Sequence, residues 1–272
     1  MPDAPTQFIT LRSWPGKKLG EYRRPAEEDD TSESKLQVSP AMSIDAVVFD
    51  LFGTLIPKWN TVRSAVVLER MARLLGLPLE KFAEAWVEAY ADREIGRVTL
   101  RECVARTVRS LGSDVAEERV DGAYRMWGAL IATHVRPRDA EVVRTLAAIR
   151  SRGCKVGLIS NCSPEVPALV RTSDFAGFID HATFSCEIGL AKPDPRIFEA
   201  HCRELGVHPE QSLYLGDGGS NELHGAQSVG MEPIFLRIVE EIAAEGLPEA
   251  VAAWTGRELT RLGDILDCLD AG

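Results

Sequence analysis

The 272-residue chain has no apolar run long enough to cross a bilayer and no apolar N-terminal stretch of secretory type, so neither a membrane span nor an export signal is expected. It has no CxxC pair. Its six cysteines, at 103, 154, 162, 186, 202 and 268, are scattered through a chain of ordinary size. That pattern argues against a disulfide framework and a zinc site, and predicts reduced thiols in a cytoplasmic protein. Cationic excess is also missing. With 31 Lys and Arg against 41 Asp and Glu, the net charge of -10 disfavours a nucleic-acid or anionic-membrane surface, though a local basic pocket remains compatible with an anionic substrate. The glycines of Gly216-Asp217-Gly218-Gly219 lack GxGxxG spacing, which rejects a nicotinamide cofactor. What is present is ample apolar material: 45% hydrophobic content over this length fills a complete core, as one large domain or a core with an inserted unit.

Residues 1–42 differ from the rest. They carry five prolines and the polar run Glu27-Glu28-Asp29-Asp30-Thr31-Ser32-Glu33-Ser34 with no helical or strand period, which predicts a flexible extension. From Ile44 the pattern alternates strand and helix. Strands are predicted at 45–49, 155–160, 182–185, 212–216 and 233–236, and helices at 138–152, 164–172, 195–206, 220–229 and near 258–269. Short apolar strands separated by helices predict an α/β fold with a Rossmann-like, doubly wound parallel sheet. The interval 57–135 breaks that rhythm with helical periodicity alone (Val66, Val67, Met71, Leu74, Leu75, then Phe82, Trp86, Ala89, Tyr90). A helical cap inserted at 57–135 is therefore expected, with the core formed by 43–56 and 136–272. Because the insertion leaves the sheet just after Asp50 and returns near Pro137, it is placed as a lid over that edge.

Asp50 closes the apolar run Ala46-Val47-Val48-Phe49 and is followed by Leu51-Phe52-Gly53-Thr54-Leu55. An acid at the end of a buried strand, on a loop loosened by glycine, is presented to a ligand instead of packed. Three further polar signals each follow a strand-like run: Ser160-Asn161 after Val156-Gly157-Leu158-Ile159, Lys192-Pro193 after Glu187-Ile188-Gly189-Leu190, and Gly216-Asp217 after Ser212-Leu213-Tyr214-Leu215. Taken singly, each has a plain structural explanation: a turn cap for Asp50, a helix cap for Ser160 or Asn161, a solvated surface lysine for Lys192. In this order, the motifs Phe49 to Leu55, Leu158-Ile159-Ser160-Asn161, Lys192-Pro193-Asp194-Pro195, and Gly216-Asp217 with Glu222 and Gly225-Ala226 resemble those of the haloacid dehalogenase-like hydrolases. The resemblance spans roughly 44–270.

Its chemistry agrees with the residues. A carboxylate such as Asp50 attacks phosphorus or an activated carbon and forms a covalent aspartyl intermediate that water then cleaves. The resemblance gives Ser160, with Asn161, and Lys192 the task of neutralising and holding the transferring group. Mg²⁺ takes oxygen ligands, and Asp50 and Asp217 suit it. The resemblance adds the backbone carbonyl of Phe52, and leaves Glu222 either reaching the metal, if need be through water, or orienting Lys192, against the alternative of an exposed first-turn acid.

One departure matters. Two residues after the nucleophile, where phosphatases of this family usually carry an acid, stands Phe52, which cannot transfer a proton. The leading reading is a Mg²⁺-dependent phosphatase of a small phosphorylated metabolite, with either a good leaving group or an acid borrowed from the cap or the substrate. Alternatives are a metal-free 2-haloacid dehalogenase-like hydrolase and a non-catalytic binding protein; against the former, Asp217 stands where those enzymes tend to carry Ser. Substrate binding is assigned to Thr54, Lys58 and Arg97, the last as an anion clamp beside the turn at Gly96. Trp86 and Tyr90, at i and i+4, read as core packing.

Overall fold

The computed structural model describes residues 43–136, 140–239, 251–252 and 254–270. The predicted extension 1–42 and the return point at Pro137 lie outside them. Six parallel strands form one sheet in the order β3-β2-β1-β4-β5-β6, with β1 Ala46–Phe49, β2 Lys155–Ser160, β3 His181–Phe184, β4 Ser212–Gly216, β5 Glu232–Leu236 and β6 Arg257–Leu259. The chain runs from β1 to β2 and β3 on one side, then crosses back to lay β4 against the other side of β1. Such a reversal opens a crevice beyond the carboxyl ends of β1 and β4.

Alternation along the strands divides two cores. Val47, Phe49, Leu158, Leu213 and Leu215 face one side, together with α5 (Ala140–Ser151) and the helices that follow β1. Ala46, Val48, Ile159, Tyr214 and Phe235 face the other, against α8 (Pro195–Leu205) and α9 (Glu222–Ser228). Both faces are dry, which is why the strands read as unbroken apolar runs. The α/β reading holds. Among the described residues no helix is long and apolar enough to cross a membrane.

The interval after β1 forms four helices, α1 Thr61–Leu75, α2 Leu79–Glu94, α3 Leu100–Ser110 and α4 Glu117–His134. Local chemistry sets their ends. The Asn60 side chain accepts from Arg63 N at 2.8 Å, and Gly76 closes α1 in the left-handed region; Thr99 caps α3 by accepting from Glu102 N at 3.2 Å. Trp86 and Trp127 meet edge to face at the centre of the layer, ring centroids 4.9 Å apart. Three contacts fasten this layer to the sheet domain: Arg93 Nη2 pairs with Glu165 Oε2 at 2.8 Å, Ser185 Oγ donates to the Glu94 carbonyl at 2.6 Å, and Gly96 lies so close to the Cys186 carbonyl that a Cβ would collide with it.

Two segments differ from the sequence reading. The stretch before Lys192 is not a strand: Ser185–Ile188 is a short helix, α7, entered directly from β3 and ended by Gly189 at φ 72°. Its Ile188 is exposed, so its apolar character marks no buried strand. Near the C-terminus the expected single helix is instead the edge strand β6, a 3₁₀ turn at Leu262–Asp264 and a helix only at Ile265–Asp270. Three mostly exposed residues at a sheet edge carry no apolar signature to read.

Candidate active site

Asp50 continues the sheet by one residue, its N–H donating to the Leu215 carbonyl at 2.9 Å, so its carboxylate emerges at the mouth of the crevice. The chain then turns sharply at Gly53 (φ 83°), where a Cβ would stand 2.5 Å from the Asp217 carboxylate. Only glycine permits both this backbone and this approach. Thr54 Oγ1 lies 3.4 Å from Asp50 Oδ2, a long contact that orients more than it binds.

Lys192 reaches Asp50 because Asn161 holds its backbone. The Asn161 amide donates to the Lys192 carbonyl at 3.0 Å and accepts from its N–H at 2.7 Å, joining the loop after β2 to the segment before α8. The Lys192 ammonium then meets Asp50 Oδ1 at 2.5 Å, Glu222 Oε2 at 2.5 Å, the Tyr214 hydroxyl at 3.1 Å and the Ile159 carbonyl at 3.2 Å. Three protons serve four oxygens. Tyr214 in turn donates to Glu222 Oε2 at 2.8 Å, and Glu222 Oε1 accepts from Gly218 N at 3.1 Å. Gly216 makes room for that carboxylate, since a Cβ there would strike Glu222 Oε1. Asp217 accepts from Gly219 N at 2.9 Å and pairs with Lys58 Nζ at 3.1 Å.

The electrostatics follow from burial. Asp50 is 6% exposed, Lys192 5% and Glu222 1%. Burial pushes Asp50 above its ordinary range despite the opposing Lys192 charge, and pushes Glu222 up to about 8, with Asp50 adding to the shift. Lys192 is held above its ordinary value because Asp50 and Glu222 together outweigh its own desolvation. One buried ammonium is thus shared by two carboxylates, with a third beside them: oxygens of Asp50, Asp217 and Glu222 lie within 4.8 Å of one another. An all-oxygen, net-acidic cluster of this size can hold a metal ion, and a divalent cation would relieve the surplus negative charge.

These groups floor a cavity of about 260 Å³ whose walls include Phe52, Lys58, Trp59, Tyr90, Glu94, Trp127, Ile131, Asn161 and Cys162. The sequence-derived residues Asp50, Phe52, Lys58, Asn161, Lys192, Asp217 and Glu222 all line it. Ser160 and Thr54 lie just beneath, fully buried, and Ser160 Oγ has no hydrogen-bond partner among the described residues. Arg97 is a correction: its guanidinium is exposed and pairs with Asp92 at 3.3 Å, because the chain has already turned outward at Gly96 (φ 71°). The Phe52 ring stacks on His134 (centroids 5.9 Å) and meets Trp59 edge-on at 6.0 Å, so a carboxylate at this position would be pressed against rings. Trp127 and Ile131 on the wall went unread in the sequence, and three polar residues were missed or taken for packing alone. Tyr214 looked like strand filler, although a phenol in a wholly buried strand must find a partner for its hydroxyl. Tyr90 and Glu94, one helical turn apart on α2, share a face that is not core alone but also cavity wall.

The family model for haloacid dehalogenase-like hydrolases matches residues 44–230. The chain is 32% identical over 235 residues to "Phosphatase MT3486" of Mycobacterium tuberculosis (strain CDC 1551 / Oshkosh), covering 83% of this chain and 98% of the relative. It is 26% identical over 204 residues to glyceraldehyde 3-phosphate phosphatase of Methanopyrus kandleri, covering 71% and 84%. Among solved structures, the 2-haloacid dehalogenase of Pseudomonas syringae pv. Tomato DC3000 superposes with TM-score 0.62 at 22% identity, covering 84% of this chain and 99% of that one, a likeness of fold.

Proposed function

Because the chain belongs to the haloacid dehalogenase-like hydrolases, we propose that it is a Mg²⁺-dependent phosphatase of a small phosphorylated metabolite, acting through an aspartyl phosphate on Asp50. The supporting observation is the shared ammonium: Lys192 bridges Asp50 and Glu222 while the Asp217 carboxylate stands within reach of both. A phosphoryl group is an anion approaching an anionic nucleophile, so its transfer demands concentrated positive charge.

In this reading an Asp50 carboxylate oxygen attacks phosphorus in line with the departing oxygen. Lys192, freed in part from Asp50 as that oxygen bonds, turns its charge to the transferring oxygens; Asn161 fixes the lysine, and the Ser160 hydroxyl supplies a donor. Asp50, Asp217, Glu222 and the Phe52 carbonyl are the residues that would hold Mg²⁺, which when bound would neutralise phosphoryl charge. Thr54 and Lys58 orient the substrate. The helices α1–α4 serve as the lid, with Trp59, Tyr90, Trp127 and Ile131 excluding water over the reacting bond. Six free thiols fit a reducing cytoplasm.

A second reading, a 2-haloacid dehalogenase forming an aspartyl ester, draws support from the apolar wall and the absence of an acid at Phe52, but leaves the acidic cluster around Asp217 without a task. Assay of phosphorylated metabolites and 2-haloacids, each with Mg²⁺ or a chelator and beside Asp50→Asn, separates the two. Phosphate release that a chelator and Asp50→Asn both abolish is expected. Halide release that persists without metal overturns the phosphatase.

A further inference from the structure

Hydrolysis of an alkyl phosphate expels an alkoxide unless a proton meets the leaving oxygen, and Phe52 cannot provide it. The donor must therefore stand elsewhere on the cavity wall. Lys58 is engaged by Asp217 at 3.1 Å, both Glu222 oxygens are taken by Lys192, Tyr214 and Gly218 N, and Tyr90 and Cys162 hold their protons too tightly, both raised by burial. Glu94 remains. It is the last residue of α2, one turn beyond Tyr90 on the same face, and lines the same cavity as Asp50 and Lys192. Its position is fixed relative to the sheet edge on three sides: its carbonyl accepts from Ser185 Oγ at 2.6 Å, the preceding Arg93 is locked to Glu165 at 2.8 Å, and Gly96 abuts the Cys186 carbonyl. The lid thus delivers one carboxyl to a set place.

We propose that Glu94 is the general acid and base of this enzyme, a role that rests on the phosphatase reading. As the Asp50 oxygen bonds to phosphorus and the P–O bond to the leaving group breaks, Glu94 gives its proton to the departing alcohol. The resulting Glu94 carboxylate then takes a proton from water as the hydroxide portion bonds to phosphorus, releasing phosphate, restoring the Asp50 carboxylate and reprotonating Glu94. The titratable and charged groups around it are Tyr90 and Arg93 on its own helix, Cys162 and Glu165 after β2, Cys186 and Glu187 on α7, and Lys192. Arg93 is neutralised by Glu165, and Glu187 by Arg171. Burial raises the Glu94 carboxyl above its ordinary value, with Lys192 opposing.

Leaving-group dependence tests the role. Glu94→Gln, Glu94→Asp, Lys58→Met and Asp50→Asn are assayed with Mg²⁺ on an alkyl phosphate and on 4-nitrophenyl phosphate, whose leaving group needs no proton, from pH 5 to 9. Glu94→Gln is expected to lose ~10²- to 10³-fold in kcat/KM, which reports the steps up to leaving-group departure, on the alkyl ester, under tenfold on the aryl ester, and to lose the alkaline limb of its kcat/KM profile against pH. Glu94→Asp, keeping a shorter carboxyl, shows the same selectivity in milder form and decides the matter if the glutamine variant does not fold. Equal losses in kcat/KM on both esters, or leaving-group selectivity appearing in Lys58→Met instead, overturn the proposal. If wild type releases no phosphate in an Asp50-dependent way, the phosphatase reading falls, and this assignment with it.

Discussion

The floor of the cavity and its roof are built on opposite principles. On the floor, Asp50, Lys192, Glu222 and Asp217 each have one or more polar partners, so that moving any of them disturbs the others. The roof is mainly rings and aliphatic chains, and the indole N–H groups of Trp59 on it and of Trp86 packed behind Trp127 are buried without partners among the described residues. A network that tolerates no displacement suits a reaction, whereas packing that depends on shape suits the choice of what is admitted. Replacements in the floor should therefore reduce rate with affinity little changed, and replacements in the roof should alter stability and KM.

Asp50→Asn puts that contrast under the greatest strain. Loss of ~10⁴-fold or more in kcat is expected, because an amide is not a nucleophile at phosphorus; turnover within tenfold of wild type would show that the floor does not do the chemistry. Lys192→Met is expected to lower kcat ~10²- to 10³-fold and to cost about 3–5 kcal/mol in urea unfolding, since Asp50 and Glu222 are then buried with no ammonium between them. Trp127→Ala in the roof should cost a similar 3–5 kcal/mol through the cavity it leaves, yet raise KM with kcat within about fivefold. A kcat loss as large as that of Lys192→Met would erase the distinction.

Away from the floor, the buried His201 of α8 offers a pH test. Burial lowers it to about 3 from an ordinary 6.5, its Nδ1 paired with Thr183 Oγ1 at 2.9 Å. As pH falls, the unfolded chain takes up this proton first. The stability it protects is whole above about pH 6.5 and is lost progressively toward pH 3, amounting to a few kcal/mol. Urea midpoints at pH 7 and pH 4 should differ less in His201→Gln than in wild type. Smallest of all, Arg97→Ala should change kcat/KM by less than about twofold, because that side chain points to solvent beside Asp92.

The same contrast explains what could be read without coordinates. Asp50, Asn161 and Asp217 were legible because they follow β1, β2 and β4 directly and parallel register brings such ends together, whereas Lys192 and Glu222 were legible only through the order of the motifs. Tyr214 escaped because strand alternation assigns it to the far core, from which only its hydroxyl returns. The roof was much less legible. Helical period identified Trp86 and Tyr90 as inward-facing, but whether inward meant a neighbouring helix or an open space depends on where the sheet edge lies. Glu94 and Arg97 differ by three residues and a glycine turn, and the sequence carries no mark that one faces the cavity and the other water. Strand β6 stayed hidden because its side chains meet solvent.

The two hydrogen bonds between the Asn161 side chain and the Lys192 backbone have a consequence for how this scaffold can change. They tie together positions 31 apart in sequence, and the intervening polypeptide is held again where β3 pairs with β2 and where Ser185 Oγ accepts from Cys162 N at 2.9 Å. Lengthening the chain at exposed Thr172 or Asp174, short of the wholly buried Phe175 and of Asp180, which bonds to Val156, would leave the ammonium where it stands. Variation in size can accumulate there without being felt by the reacting atoms.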